Sequence, residues 1–166
     1  MYDEDDEMSF KEIFDIFLLN KFNMTRPENL LPLQKNKALQ RPAERKSIFL
    51  LEKTEKYFLR NWVTGKLKLA DGLYIFVITA DDPHTIYCAR SVRDSNYHWY
   101  DAVDGHSSIG YREPVRYAGS ILFDQGELSL WTNASGHYRP PQELRYLMTP
   151  YIRHLLPDTK FRRISF

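Results

Sequence analysis

The chain has 166 residues, 43% of them hydrophobic and 14% aromatic, enough apolar material for one domain with one core and too much for a disordered chain. A formal net charge of +1 and a pI near 7.8 argue against a whole-domain electrostatic footprint for nucleic acid. A single cysteine, Cys88, excludes an internal disulfide framework and a Cys-based zinc site, and points to a reducing compartment.

The charges are segregated. Asp3, Glu4, Asp5, Asp6 and Glu7 open the chain as a flexible acidic start over residues 1–8. Basic residues gather at Lys35, Lys37, Arg41, Arg45 and Lys46, and again at Arg153, Lys160, Arg162 and Arg163. Solvated faces account for such runs, and a local contact with an anionic ligand or RNA is the alternative. No apolar run reaches the 18 residues that span a bilayer, and the acidic start is unlike a secretory signal, so no membrane insertion and no Sec-type export are expected.

Ser9 to Phe22 reads as an amphipathic helix, with Phe10, Ile13, Phe14, Phe17 and Leu18 on one stripe and Lys11, Glu12 and Asp15 facing outward. Ser9 and Glu12 form a capping-box pattern. The stripe suits either the chain's own core or a partner's groove. Pro27, Pro32 and Pro42 make 23–42 an irregular segment. A second helix is expected from Ala43 to about Trp62, with Ile48, Leu51, Phe58, Leu59 and Trp62 on or near one face and Gly65 as its stop. Residues 9–62 are thus expected to be helical around the irregular 23–42.

Strand chemistry then takes over, with a sheet and a C-terminal helix expected over 70–166. Leu73 to Thr79 is β-branched and aromatic, and Ala80 to His84 is a turn leading into a strand from Thr85 to Arg90. Cys88 falls in that strand, where a small buried apolar residue is a better reading than a nucleophile. Pro114–Phe123 and Glu127–Trp131 form a second hairpin through Asp124-Gln125-Gly126. Glu143 to Leu156 has helical spacing, and Pro150 either kinks it or divides it at Thr149. Phe161 to Phe166 suits a short last strand. The expected class is α+β in a single domain, 1–166: a mainly antiparallel sheet of about four to five strands, with N-terminal helices and a C-terminal helix packed on it.

Two loops concentrate the chemistry-bearing residues. Gly105-His106-Ser107-Ser108 precedes the second hairpin, and Ser135-Gly136-His137-Tyr138-Arg139-Pro140 follows it. The outer ends of a hairpin are neighbours, so the two loops are able to converge. His106, His137 and Tyr138 are the candidate catalytic residues, since imidazoles exchange protons near neutral pH. Ser107, Ser108, Ser135, Arg139 and Trp131 are the candidate substrate-binding residues. Arg139 suits phosphate or carboxylate, and the following helix N-terminus is an expected anion site. Asp104 is placed to orient His106, and Glu143 to cap the last helix; Asp101, Glu113 and Glu127 suit exposed positions. His98, His106 and His137 lack the tight spacing of a metal site, so neither metal nor cofactor is expected. Tyr97, Trp99, Tyr100 and Tyr111, near Arg90, Arg93 and Arg112, suit either base stacking or packing. Phosphate-binding loops, dinucleotide fingerprints, zinc helices and nucleophile elbows are not found.

At Gly105-His106-Ser107-Ser108-Ile109, Pro114-Val115-Arg116-Tyr117-Ala118-Gly119 and Trp131 through Pro140, the sequence resembles domains attached to bacterial secreted effectors and polymorphic toxins. A His-Ser-Ser element, a Pro-Val-x-x-Ala-Gly strand and a Ser-Gly-His-Tyr-x-Pro loop recur in them. About 40 residues carry the resemblance. It implies a toxin or effector domain that resides in the producing cell's cytoplasm and is delivered to a target cell by dedicated secretion, with a cognate immunity protein or a host target protein as partner. An enzyme acting on NAD or RNA is the corresponding expectation, in which NAD enters as one of two possible substrates and not as a cofactor. ADP-ribosyl transfer is its most concrete form, although no late catalytic Glu stands in a recognisable setting. A non-enzymatic binding module, such as an immunity or adaptor protein, is the alternative.

Overall fold

The computed structural model describes residues 30–32, 39–92 and 102–165. The helix expected at Ser9–Phe22 lies outside them, as do Arg93, Tyr97, His98, Trp99, Tyr100 and Asp101.

Among the described residues, nine strands form one mixed sheet: β1 Phe49–Lys53, β2 Tyr57–Asn61, β3 Leu67–Leu69, β4 Gly72–Thr79, β5 Tyr87–Ser91, β6 Ala102–Val103, β7 Val115–Asp124, β8 Glu127–Thr132 and β9 Phe161–Arg162. Their order is β3-β2-β1-β5-β4-β7-β8-β9, and β6 pairs with β5. The β5–β6 and β8–β9 pairs are parallel and the others antiparallel. This overturns the expected α+β arrangement of four to five strands with packed helices. Among the described residues the α-helices are short: α1, His106–Ile109, and α2, Pro150–Leu155.

The largest correction falls on 43–62. In place of a helix there are a 3-10 turn at Arg45–Ser47 and the β1–β2 hairpin, paired from Phe49↔Asn61 to Lys53↔Tyr57. Leu51, Tyr57 and Leu59 are buried on one face, with the period of two that a strand requires. Nonlocal pairing decides the matter: Phe49 lies opposite Cys88 and Leu50 opposite Tyr87 on β5. Gly65 turns the chain from β2 to β3 at a φ of 71°.

The two later hairpins form as the alternation indicates. β4 pairs with β5 from Ile75↔Ala89 to Val77↔Tyr87, and β7 with β8 from Ile121↔Trp131 to Asp124↔Glu127. Gln125 and Gly126 both have positive φ, 47° and 87°, the signature of a tight hairpin turn. Gly126 also closes a curl in the sheet. Its N–H donates to the Ala70 carbonyl at 2.7 Å, and its own carbonyl accepts from the Tyr57 N–H at 2.8 Å. The free ends of β2 and β3 are thereby tied to the β7–β8 turn.

Inside the curl, Tyr74, Phe76, Tyr117, Ile121, Phe123 and Trp131 make the main core. Ile152, Leu155 and Leu156 of the C-terminal segment seal it. That segment is divided, as Pro150 requires: a 3-10 helix at Gln142–Leu147 ends before Thr149, whose hydroxyl caps α2 by accepting from the Ile152 N–H at 3.2 Å. Glu143 is exposed and does not provide this cap. On the other face, Val77, Ala89, Ala118, Ile109, Val115 and Tyr138 make a second core under α1. Leu31 joins it by bridging Val115 through two backbone hydrogen bonds of 2.6 and 2.9 Å. No helix among the described residues is long and apolar enough to cross a membrane.

Candidate functional site

The two polar loops meet on the second core. Tyr138 is fully buried, and its hydroxyl donates to the Glu113 carbonyl at 2.8 Å. A Cβ on Gly110, the residue that ends α1, would lie 2.6 Å from that hydroxyl oxygen. The ring therefore lies against the end of the very helix that begins at His106. Burial pushes the Tyr138 phenol far above its ordinary range, so at neutral pH it is a fixed donor and cannot serve as a proton acceptor. The candidate catalytic Tyr138 is a clamp between loops.

The serines serve the same end. Ser107 donates its hydroxyl to Gln40 Oε1 at 2.6 Å, and the Ser107 N–H donates to the same oxygen at 3.2 Å. Ser108 Oγ accepts from the Gly105 N–H at 3.3 Å, while the Ser108 N–H donates back to the Gly105 carbonyl at 3.1 Å. Ser135 Oγ accepts from the Tyr138 N–H at 3.3 Å. All three serines are buried. Trp131 lies in the main core, on the opposite face of the sheet from Thr132, and its indole N–H donates to the Pro157 carbonyl at 2.8 Å. Burial and these bonds occupy four of the five expected substrate-binding residues, leaving Arg139.

His106, half-buried, places Nε2 2.6 Å from the Gly119 carbonyl oxygen. A carbonyl only accepts, so Nε2 carries the proton, and in the neutral ring Nδ1 is the basic nitrogen. Asp104 does not lie idle for a histidine: its carboxylate accepts from the Arg41 backbone N–H and guanidinium at 3.0 to 3.2 Å. Those bonds hold the Asp104 carboxyl below the usual carboxylate range. Next to Gly119, the Ser120 and Thr132 hydroxyls lie 2.6 Å apart, and Thr132 Oγ1 accepts from the Ala134 N–H at 3.0 Å. The start of the His137 loop is thus fixed beside the strand residue that holds His106.

His137 is half-buried in the turn at 136–138, and Arg139 is exposed, with its N–H donating to the Ser135 carbonyl at 2.7 Å. Arg139 has a φ of 44°, and Tyr111 and Arg112, after α1, have φ of 52° and 63°. Left-handed backbone at three bulky residues costs energy that the surrounding lock must offset. The element that follows Pro141 is a six-residue 3-10 helix, Gln142–Leu147, in place of the α-helix whose N-terminus is the expected anion site. Cys88 is fully buried in β5, where burial pushes its thiol pKa up and keeps it protonated. Among the described residues no cluster of three or more His, Cys, Asp or Glu is placed to hold a metal ion.

Two participants were not legible in the sequence. Gln40 comes from the irregular basic segment and stitches the His106 loop together: besides holding Ser107, its Nε2 donates to the Asp104 carbonyl and its own carbonyl accepts from Arg112 Nε. Asn133 donates Nδ2 to the carbonyls of Pro140 and Ile164, and its Oδ1 accepts from the Ile164 N–H at 2.7 Å. It closes the His137 loop against the segment after β9. The chain was compared with protein-family models, curated proteins and solved structures, and nothing matches in any of the three.

Proposed function

We propose that this is a toxin or effector domain that acts on a nucleotide-type substrate, NAD or RNA, where the two loops meet. One observation carries the reading. His106 and His137 are half-exposed on loops that the buried Tyr138 clamps to one another through the Glu113 carbonyl. In this reading, His106, with its tautomer set by Gly119, accepts a proton at Nδ1, and His137 supplies the complementary acid or base. Arg139, exposed two residues after His137, binds the phosphate that NAD and RNA share. ADP-ribosyl transfer and RNA cleavage are distinct outcomes at such a site, and the experiment separates them.

Wild type, His137→Ala and Arg139→Ala are expressed from a tightly repressed promoter, and growth, NAD level and RNA integrity are followed. Toxicity is expected from the wild type, with loss of either NAD or intact RNA, and abolished by His137→Ala in a protein that retains its circular dichroism. A harmless wild type selects the binding-module alternative, with an immunity or target protein as partner. Undiminished toxicity of a folded His137→Ala protein overturns the catalytic reading.

A further inference from the structure

Residues 139–165 carry six Lys and Arg against two acids, Glu143 and Asp158, in a chain whose net charge is only +1. The fold lays this excess along a line that ends at the candidate site. Asp158 ties down its far end: the carboxylate accepts from Arg145 Nε at 3.1 Å and from Arg153 Nη2 at 3.0 Å. Both guanidiniums also lie over the Tyr146 ring, 4.1 and 5.0 Å from its centroid, and Tyr146 stays 43% exposed. The Phe161 ring lies 4.5 Å from the Arg145 guanidinium and packs on the main core. Alternation along β9 therefore turns Arg162 to the outer face, beside Thr132, its register partner on β8. Thr132 in turn is hydrogen-bonded to Ser120, the residue after Gly119, whose carbonyl holds His106. Two strand spacings, about 10 Å, thus separate Arg162 from the strand that anchors His106. Further on, Ile164 is bonded at both its N–H and its carbonyl to Asn133, which also holds the Pro140 carbonyl, next to Arg139. Lys160, Arg162 and Arg163 are exposed, and none of the three makes an ion pair among the described residues.

We propose that this line of cations is a track for single-stranded RNA, running from Tyr146 over Lys160, Arg162 and Arg163 to the His137 loop. The inference rests on the proposed function and deepens it, because it makes RNA, not NAD, the substrate of that site. NAD offers a single pyrophosphate, which Arg139 suffices to meet. Lys160 to Arg163 add about 10 Å of extended, positively charged chain, and a polymer with a phosphate at every residue matches that length. An open aromatic ring bearing guanidiniums favours bases over an acidic protein, since every base has a face to stack. Near-neutral charge of the whole chain does not oppose this, because backbone phosphates respond to the cations they touch.

The test uses the full chain carrying His137→Ala, which prevents turnover, and follows the anisotropy of a fluorescein-labelled single-stranded oligouridylate. Lys160→Ala/Arg162→Ala/Arg163→Ala is expected to weaken binding by at least roughly tenfold at physiological salt and to lower the slope of log Kd against log salt by about 2, for three single-strand phosphate contacts at about 0.7 each. Lys46→Ala/Lys56→Ala/Lys66→Ala removes the same charge from other exposed positions and is expected to leave binding almost unchanged. Equal losses in the two triple variants, or no RNA binding at all, overturn the track. Tyr146→Leu is expected to weaken binding at least about threefold, and unchanged binding there overturns the base contact. Displacement of the RNA by NAD at equal concentration overturns the choice of RNA. The track and the chemistry fail separately. A toxic wild type whose first triple variant binds RNA undiminished overturns the track and leaves the catalytic reading standing. A harmless wild type that binds RNA through these three cations supports the track and overturns the catalytic reading.

Discussion

Replacing Tyr138 distinguishes a structural clamp from a catalytic phenol. Tyr138→Phe removes the hydroxyl that donates to the Glu113 carbonyl at 2.8 Å and leaves the ring in place. A net hydrogen bond of this kind contributes about 1 kcal/mol, and Glu113 is an exposed residue whose carbonyl regains water, so the upper end of the usual range does not apply. Tyr138→Ala also removes a fully buried ring from a core that includes Ile109, Val115 and Ala118, which costs about 4 kcal/mol. In a domain of this size the first change lowers Tm by about 2–4 °C and the second by several times as much. Urea unfolding followed by tryptophan fluorescence measures both, and the m-value confirms that the same surface is exposed. Toxicity is expected to survive Tyr138→Phe. Unchanged stability combined with lost toxicity in that variant would refute the reasoning and return the phenol to the chemistry.

Two glycines are expected to behave oppositely. A Cβ on Gly119 would overlap the Thr132 carbonyl oxygen, a backbone atom, so Gly119→Ala forces β7 from β8 and costs about 2–3 kcal/mol; Gly136→Ala meets nothing within 4 Å and leaves the urea midpoint almost unchanged. Arg139→Gly relieves a left-handed φ of 44° and raises stability by about 1 kcal/mol, while weakening binding of a phosphate-bearing substrate by calorimetry. The Asp104 pKa is depressed in the fold, so its contribution to stability is complete above its unfolded value of about 4 and is lost as pH falls through the folded value. A Tm gap between wild type and Asp104→Asn is therefore expected at pH 7 and closes in acid; a gap that persists at low pH refutes the Arg41–Asp104 assignment.

Local chemistry sufficed wherever the decisive interaction was close in sequence. Alternation and a Gly-bearing turn define the β4–β5 and β7–β8 hairpins, since strand partners a few residues apart need little beyond turn geometry. Pro150 lacks the N–H that a continuous helix needs, so the division at Thr149 is written in the chain itself. The meeting of the His106 and His137 loops does not follow from the hairpin ends, because Trp131 pairs with Ile121, six residues along β7 from Val115; the Tyr138 hydroxyl on the Glu113 carbonyl joins them.

Only tertiary structure decided the rest. Residues 43–62 carry apolar side chains compatible with either period, and their strands exist because Phe49 finds Cys88 on β5, a pairing no local window contains. Ser107, Ser108, Ser135 and Tyr138 are polar residue types in polar loops, and sequence alone assigns them to a site. Their partners include Gln40, 67 residues before Ser107, and Glu113, 25 residues before Tyr138; desolvation around those bonds converts the hydroxyls into clamps. Residue types established that imidazoles, hydroxyls and an arginine gather around this hairpin. Burial, a property of the whole fold, determined which of them still face outward.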